Sequence, residues 1–101
     1  MGQRRGSTGP NDPIRDVTVV VPNITDGDHA DVVLTADGVW KDQSALSVIP
    51  VGAPLANLII DSAWVSTPST GAVTVRFAAL SGNVATGNQA VRLIGVPSNA
   101  L

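Results

Sequence analysis

Several residue types that support catalysis, metal binding or ionic surfaces are scarce in this chain of 101 residues. It contains no cysteine, which excludes disulfides, thiolate nucleophiles and sulfur-ligated metals. It contains no glutamate, and Lys41 is its single lysine. The alternating Glu and Lys face that solvates a surface helix therefore cannot form, and an all-α fold is disfavoured.

The low charge also limits the partners. Six Lys and Arg residues against eight acidic residues give a formal net charge of −2. Binding of nucleic acid needs a concentrated set of basic side chains, so we expect no nucleic-acid partner. The apolar runs are interrupted, by Pro50 and Pro54 among others, and fall short of the roughly 20 residues of a membrane helix. We therefore expect no membrane partner.

Ligand-type side chains are concentrated in one place, where Asp26, Asp28 and Asp31 surround His29. Carboxylate oxygens can bind Ca²⁺, but the spacing differs from an EF-hand and no bidentate glutamate is present. A turn stabilised by Asx hydrogen bonds is the favoured interpretation. A nucleophile and base pair would need His29 and a distant Ser or Thr, which no motif places together. The sequence predicts no enzyme activity, no metal, no cofactor and no small-molecule ligand.

Residues 1–15 differ in composition from the rest of the chain. They are rich in Gly, Pro and small polar residues, and such a segment buries too little apolar surface to fold alone. We expect an extended N-terminal arm over residues 1–15 and a single β domain over residues 16–101. The arm's candidate contact residues are Arg4, Arg5, Ile14 and Arg15; the alternative is a tail without a partner.

The pattern of residues 16–101 predicts short strands separated by turns. Residues 16–22 alternate as a strand with Val17, Val19 and Val21 on one face, and residues 31–36 follow an Asp-Gly turn as its predicted hairpin partner. Residues 57–66 and 72–80 are predicted to pair, while residues 46–49 and 90–96 supply further strands. This pattern predicts an all-β fold, an antiparallel β-sandwich or small barrel of about six to eight short strands.

Individual side chains on these strands carry further predictions. Trp64 falls on the same alternating face as Leu58 and Ile60, which favours a core position, whereas Trp40 lies in a loop and is the candidate surface contact. Asp61 and Arg76 lie on the two strands predicted to pair, so we expect a structural cross-strand ion pair.

Apolar residues also recur on the faces predicted to point outward. They either meet a partner or are covered within a two-sheet sandwich. The residues concerned are Val20, Ile59, Val65, Ala78, Ile94 and Val96.

Four segments together resemble a known group of proteins. They are VTVVVPNITDG, IPVGAPLANLIIDSAWVS, GAVTVRFAALSGNV and AVRLIGV, which lie between Asp16 and Val96. This succession resembles a family of small β proteins encoded among the virion genes of tailed bacteriophages. In that family a Pro-rich loop leads into an apolar strand, and a Gly-Val-Thr-Val-Arg-Phe strand follows. The matching positions here are Pro54, Leu58 to Val65, and Gly71 to Phe77.

The resemblance implies a head decoration, or cement, protein. Such a protein binds the outer surface of the capsid, commonly as a homotrimer, where subunits of the major capsid protein meet. An arm with few apolar anchors suits this role, since it can gain order on binding and its arginines can pair with an acidic capsid surface. The alternative is a receptor- or glycan-binding module of a phage fibre or head spike, with Trp40 and residues 81–88 as its contacts.

Overall fold

Six strands form two antiparallel sheets in the computed structural model, which describes residues 14–41 and 43–97. The strands are β1 (Ile14–Val21), β2 (His29–Val33), β3 (Gln43–Pro50), β4 (Leu58–Thr67), β5 (Ala72–Ala79) and β6 (Gly87–Pro97). One sheet has the order β1-β6-β3, and the other has the order β2-β5-β4. The predicted all-β class is confirmed, and two open sheets packed together make it a sandwich.

The core lies between the sheets and is built from alternate strand positions. A strand that buries one face presents every second side chain to the core, as predicted here for β1. Phe77 and Leu93 are among its largest fully buried side chains. Among the described residues, the other buried apolar side chains on strands are Val19, Val21, Leu58, Val73, Val75, Ala79 and Val91.

The predicted hairpin between the first two strands is wrong. β1 pairs with β6, and β2 pairs with β5 in the opposite sheet. The connection crosses from one sheet to the other because Ile24 bridges to Val84 and the Gly27 amide donates to the Ala79 carbonyl. The Asp26-Gly27 signal does mark a turn, but the turn is fixed against the end of β5 and does not join paired strands.

The alternation predicted for β4 holds only for its first half. Leu58 is buried and Ile60 packs against the core, but the register with β5 shifts between Ile60 and Ser62. A β-bulge moves the side chains beyond it to the opposite face. Ala63 and Val65 therefore pack against the core, and Trp64 lies on the outer face.

Two long-range contacts fix the loops around the sandwich. Gly71 has a φ of +83°, and its carbonyl accepts a hydrogen bond from the Asp37 amide at 3.2 Å. Gln89 is buried, and its Oε1 accepts from the Leu55 amide at 2.8 Å. Gln89 thereby attaches the proline-rich loop between β3 and β4 to the inner face of β6.

The start of the domain differs from the predicted boundary. Ile14 and Arg15 belong to β1, where they pair with Ile94 and Leu93, and not to the arm. Arg4 and Arg5 lie outside the described residues.

Candidate functional site

The aspartates around His29 do not form one cluster. The Asp26 amide donates to Asn83 Oδ1 at 2.8 Å, the Asp28 amide donates to the Thr25 carbonyl at 2.8 Å, and Asp31 is bound by Arg76. These contacts define a turn and an ion pair. Within residues 14–41 and 43–97, no three His, Asp or Glu side chains are grouped so as to hold a metal ion.

The structure corrects the assignment of Trp40 as a surface contact. Trp40 ends the 3₁₀ turn over Gly38–Trp40, which Asp37 begins by accepting the Val39 amide on its carboxylate at 3.0 Å. This turn directs the indole ring between the sheets, and Trp40 is only 2% exposed. Trp40 is a core residue, so the prediction that it forms a surface contact is wrong.

Trp64 takes the opposite position to the one predicted. It is 37% exposed on the outer face of the β2-β5-β4 sheet, where the bulge in β4 has placed it. The Cζ atom of Arg76 lies 5.3 Å from the centroid of its ring, which is the geometry of a cation–π contact. Sequence alternation could not locate the bulge, since β4 has no glycine or proline to mark it.

Arg76 forms its ion pair with a different carboxylate from the one predicted. Its Nε and Nη2 donate to the two carboxylate oxygens of Asp31 at 2.8 and 3.1 Å. Asp61 lies at the bulge and contributes only a longer-range attraction. The hydrogen bond from Arg76 holds the pKa of the Asp31 carboxyl below its usual value, and the same bond raises the pKa of Arg76.

An equivalent pair, missed by the sequence analysis, lies on the other sheet. Arg92 Nε and Nη2 donate to the two oxygens of Asp16 at 2.7 and 3.0 Å, and this hydrogen bond lowers the pKa of the Asp16 carboxyl. In both sheets an arginine of the central strand holds an aspartate of an edge strand, in the bidentate geometry that such pairs favour. No local signal reveals these pairs, because they join strands that are distant in sequence.

One side of the sandwich is open, between the edge strands β1 and β2. The opening is a cleft of about 690 Å³ lined by residues 17–20, residues 32–38, Trp40 and Leu93. Among the described residues, the two large apolar side chains with the highest exposure are Val20 at 65% and Val33 at 67%, and both border it. We call this the open side of the sandwich.

An ion pair crosses the open side at one end. Arg15 Nε lies 3.2 Å from Asp37 Oδ2, and Arg15 Nη1 also donates to the Ile14 carbonyl. Arg15 was predicted as an arm residue that binds a partner, but here it links β1 to the segment after β2. It therefore has a structural role within the domain.

Some of the apolar residues predicted to face outward are exposed, and others are half-buried or pack against the core. Val20 and Ile59 are exposed. Val65 packs against the core because it lies beyond the bulge in β4. Ala78 and Ile94 are half-buried on the outer faces.

No protein-family model, curated protein or solved structure matches the chain. Among the described residues no helix is long and apolar enough to cross a membrane. The functional argument therefore depends on the residues and on the geometry above.

Proposed function

We propose that the chain is a non-enzymatic virion protein of a tailed bacteriophage that decorates the outer capsid surface. On this proposal it stabilises contacts between subunits of the major capsid protein, and its copies associate as a homotrimer. The resemblance over residues 16–96 is one support for the proposal. The second support is physical, and it comes from the open side of the sandwich.

The open side carries the proposal because it presents surface that a soluble monomer usually covers. Two strand edges border it, and Val20 and Val33 leave apolar surface exposed beside them. Unprotected strand edges beside apolar side chains are typical of surfaces that bind protein. A protein surface is the partner that this geometry fits best.

The N-terminal segment joins the domain at this same side. Residues 1–13 lead directly into Ile14, the first residue of the edge strand β1. A segment attached there can lie across a surface that contacts the open side. Arg4 and Arg5 would supply charge-assisted hydrogen bonds to acidic groups on the capsid.

The proposal is tested by truncation at the observed strand boundary. A variant lacking residues 1–13 keeps β1 and the whole sandwich, so we expect it to fold. We also expect it to lose co-sedimentation with shells assembled from the major capsid protein of the same genome. Replacing Arg4 and Arg5 by alanine should weaken binding strongly, while replacing Gln3 and Ser7 by alanine is the matched control. If the truncated chain binds shells as tightly as the full chain, the proposal that the arm contributes to binding is wrong.

A second candidate function has one observation in its favour. The exposed ring of Trp64 gives a flat aromatic surface beside Arg76, and aromatic rings of this kind stack on sugars. A glycan-binding module of a fibre or spike would therefore use Trp64 in place of the buried Trp40. The substitution Trp64→Ala should then abolish signals on a glycan array, and an unchanged array profile would remove this candidate.

A further inference from the structure

The apolar core of the sandwich is incompletely covered at the open side. Val17 of β1 packs against the core from one wall, and Val32 and Leu34 pack against it from the other, yet all three are only half-buried. Val75, which pairs directly with Val32, is fully buried. In a sandwich the inner faces of the two sheets normally cover each other. The open side therefore leaves core-facing side chains uncovered between β1 and β2.

β1 borders this gap with an unprotected edge. Its eight residues pair with β6 without a register shift and include no Pro, Gly or Lys. Residues 17–21 are four valines and one threonine. Within the described part of the chain, β6 is the only strand neighbour of β1. A long, regular, valine-rich edge of this type is a template for a further strand.

β2 forms the opposite wall and is a poorer template. It has only five residues, and shortness is one of the devices that keep an edge from accepting another strand. The wall continues beyond β2, because the Leu34 amide donates to the Val73 carbonyl at 2.8 Å. β2 and its continuation therefore contribute side chains to the cleft, whereas β1 offers backbone hydrogen bonds.

The cleft has little charge along its length. Asp37 is the one charged residue among its described lining residues, and it is paired with Arg15 at one end. A charged side chain placed between the two walls would lose its water without gaining a partner, which is costly. The cleft therefore fits an extended segment with uncharged apolar side chains at alternate positions.

The segments of this chain outside its sheets do not have that composition. Residues 1–13 contain no Val, Ile, Leu or Phe, and they include Arg4, Arg5 and Asp12. Residues 98–101 have the sequence SNAL, in which no two apolar side chains alternate. The six strands each belong to one of the two sheets already. A second copy offers the same segments, so the segment that fits the cleft comes from a different protein.

We infer that a β-strand of the major capsid protein adds to the free edge of β1 and closes the open side. The inference rests on the proposed function, which supplies the partner, and it states what that partner presents. The strand needs about five residues to match residues 17–21, with uncharged apolar side chains at alternate positions to cover Val17 and Leu34. Strand addition of this kind takes affinity from backbone hydrogen bonds and specificity from the alternate side chains.

Hydrogen exchange on the full chain tests the inference directly. In an antiparallel edge strand alternate amides already donate to the neighbouring strand. The remaining amides of residues 17–21 should exchange rapidly in the isolated chain, and at least about tenfold more slowly on shells assembled from the major capsid protein of the same genome. The amides of residues 46–49 in β3, an edge strand away from the cleft, are the internal control and should keep their rates.

Two matched substitutions give an independent test. Val20 and Ile49 are exposed β-branched residues on the two edge strands of one sheet. Val20→Lys should lower the affinity for shells at least about tenfold, because a lysine protects an edge strand from pairing. Ile49→Lys should leave the affinity unchanged, and far-ultraviolet circular dichroism checks that both variants keep the fold. Equal affinities of the two variants would overturn the inference.

The outcomes separate this inference from the proposed function. A chain that binds shells while its β1 amides exchange as fast as in the isolated chain would overturn the inference alone. Protection of β1 that appears without shells, as the concentration of the chain is raised, would assign the edge to a second copy and also overturn it. A full chain that never binds shells would overturn the proposed function, and the inference with it.

Discussion

Arg76 holds Asp31 through two hydrogen bonds while its guanidinium lies against the exposed ring of Trp64. This relationship joins the three strands of one sheet on its outer face, because the three residues lie on β5, β2 and β4 respectively. Arg76 packs against one side of the ring, which leaves part of the indole in contact with solvent.

The two tryptophans should have different fluorescence, and the chain contains no tyrosine to interfere. Trp64→Phe leaves Trp40, which is buried, so we expect blue-shifted emission that acrylamide quenches poorly. Trp40→Phe leaves Trp64, and its emission should be red-shifted and readily quenched. The reverse assignment of the two spectra would contradict the bulge in β4 and the burial of Trp40.

The two tryptophans should also differ in their contribution to the free energy of unfolding. Trp40→Ala removes a large buried side chain and should cost about 3–5 kcal/mol in the free energy of unfolding. Trp64→Ala removes a half-exposed ring and should cost about 1 kcal/mol or less. Urea unfolding followed by circular dichroism measures both, and equal losses at the two positions would count against the account.

Acid should destabilise the protein through its two bidentate ion pairs. In the unfolded chain these aspartates titrate near 3.8, whereas the hydrogen bonds from Arg92 and Arg76 lower the pKa of Asp16 and Asp31 in the folded state. The unfolded state then binds more protons as the pH falls through this range, so the free energy of unfolding decreases. The contribution is fully present at pH values well above 3.8 and is lost as the pH falls through the lower folded values.

Asp31→Asn should reduce this dependence of stability on pH. Urea unfolding at a series of pH values between neutral and strongly acidic conditions measures the slope. Asp28→Asn removes an aspartate outside both ion pairs and is the matched control. A slope that Asp31→Asn and Asp28→Asn alter equally would show that the Arg76 pair is not its source.

Gly71 should tolerate no side chain. Its φ of +83° disfavours other residues, and a Cβ atom there would collide with the carbonyl oxygen of Asp37. Gly71→Ala should therefore destabilise the protein by about 2–4 kcal/mol. Gly38→Ala is the control, because a Cβ atom at Gly38 meets nothing within 4 Å. Thermal unfolding compares the two variants, and a similar midpoint for both would refute the close approach at Gly71.

The buried side-chain amide of Gln89 should stabilise the protein through its hydrogen bond to the Leu55 amide. Gln89→Leu fills a similar volume but leaves the Leu55 amide without its acceptor, which should cost about 1–3 kcal/mol. Hydrogen exchange at the Leu55 amide should also accelerate in this variant. Asn88→Ala changes the exposed neighbour on the outer face and serves as the control. Unchanged exchange at Leu55 would show that another group protects this amide.

The sequence predicted much of the fold because apolar alternation is a local signal. Val73, Val75 and Phe77 alternate with Thr74 and Arg76, and this pattern alone identifies the inner face of β5. The same reasoning was sufficient for β1 and β6. It also predicted the pairing of β4 with β5, which are joined by a short turn.

The errors arose where the structure depends on contacts between distant residues. The bulge near Ser62 exchanged the environments expected for Trp64 and Val65, and nothing in the local sequence marked it. The ion pair of Asp16 with Arg92 joins residues 76 positions apart, so it required knowledge of the strand order. Because the strand order was unknown, the open side of the sandwich could not be predicted either.

Co-sedimentation with capsid shells measures the proposed binding to a capsid. The full chain is mixed with empty shells assembled from the major capsid protein of the same genome, and the bound fraction is measured as the chain is titrated. We predict saturable binding to intact shells and none to the unassembled capsid subunit. A chain that stays in the supernatant at every concentration would contradict the proposed function.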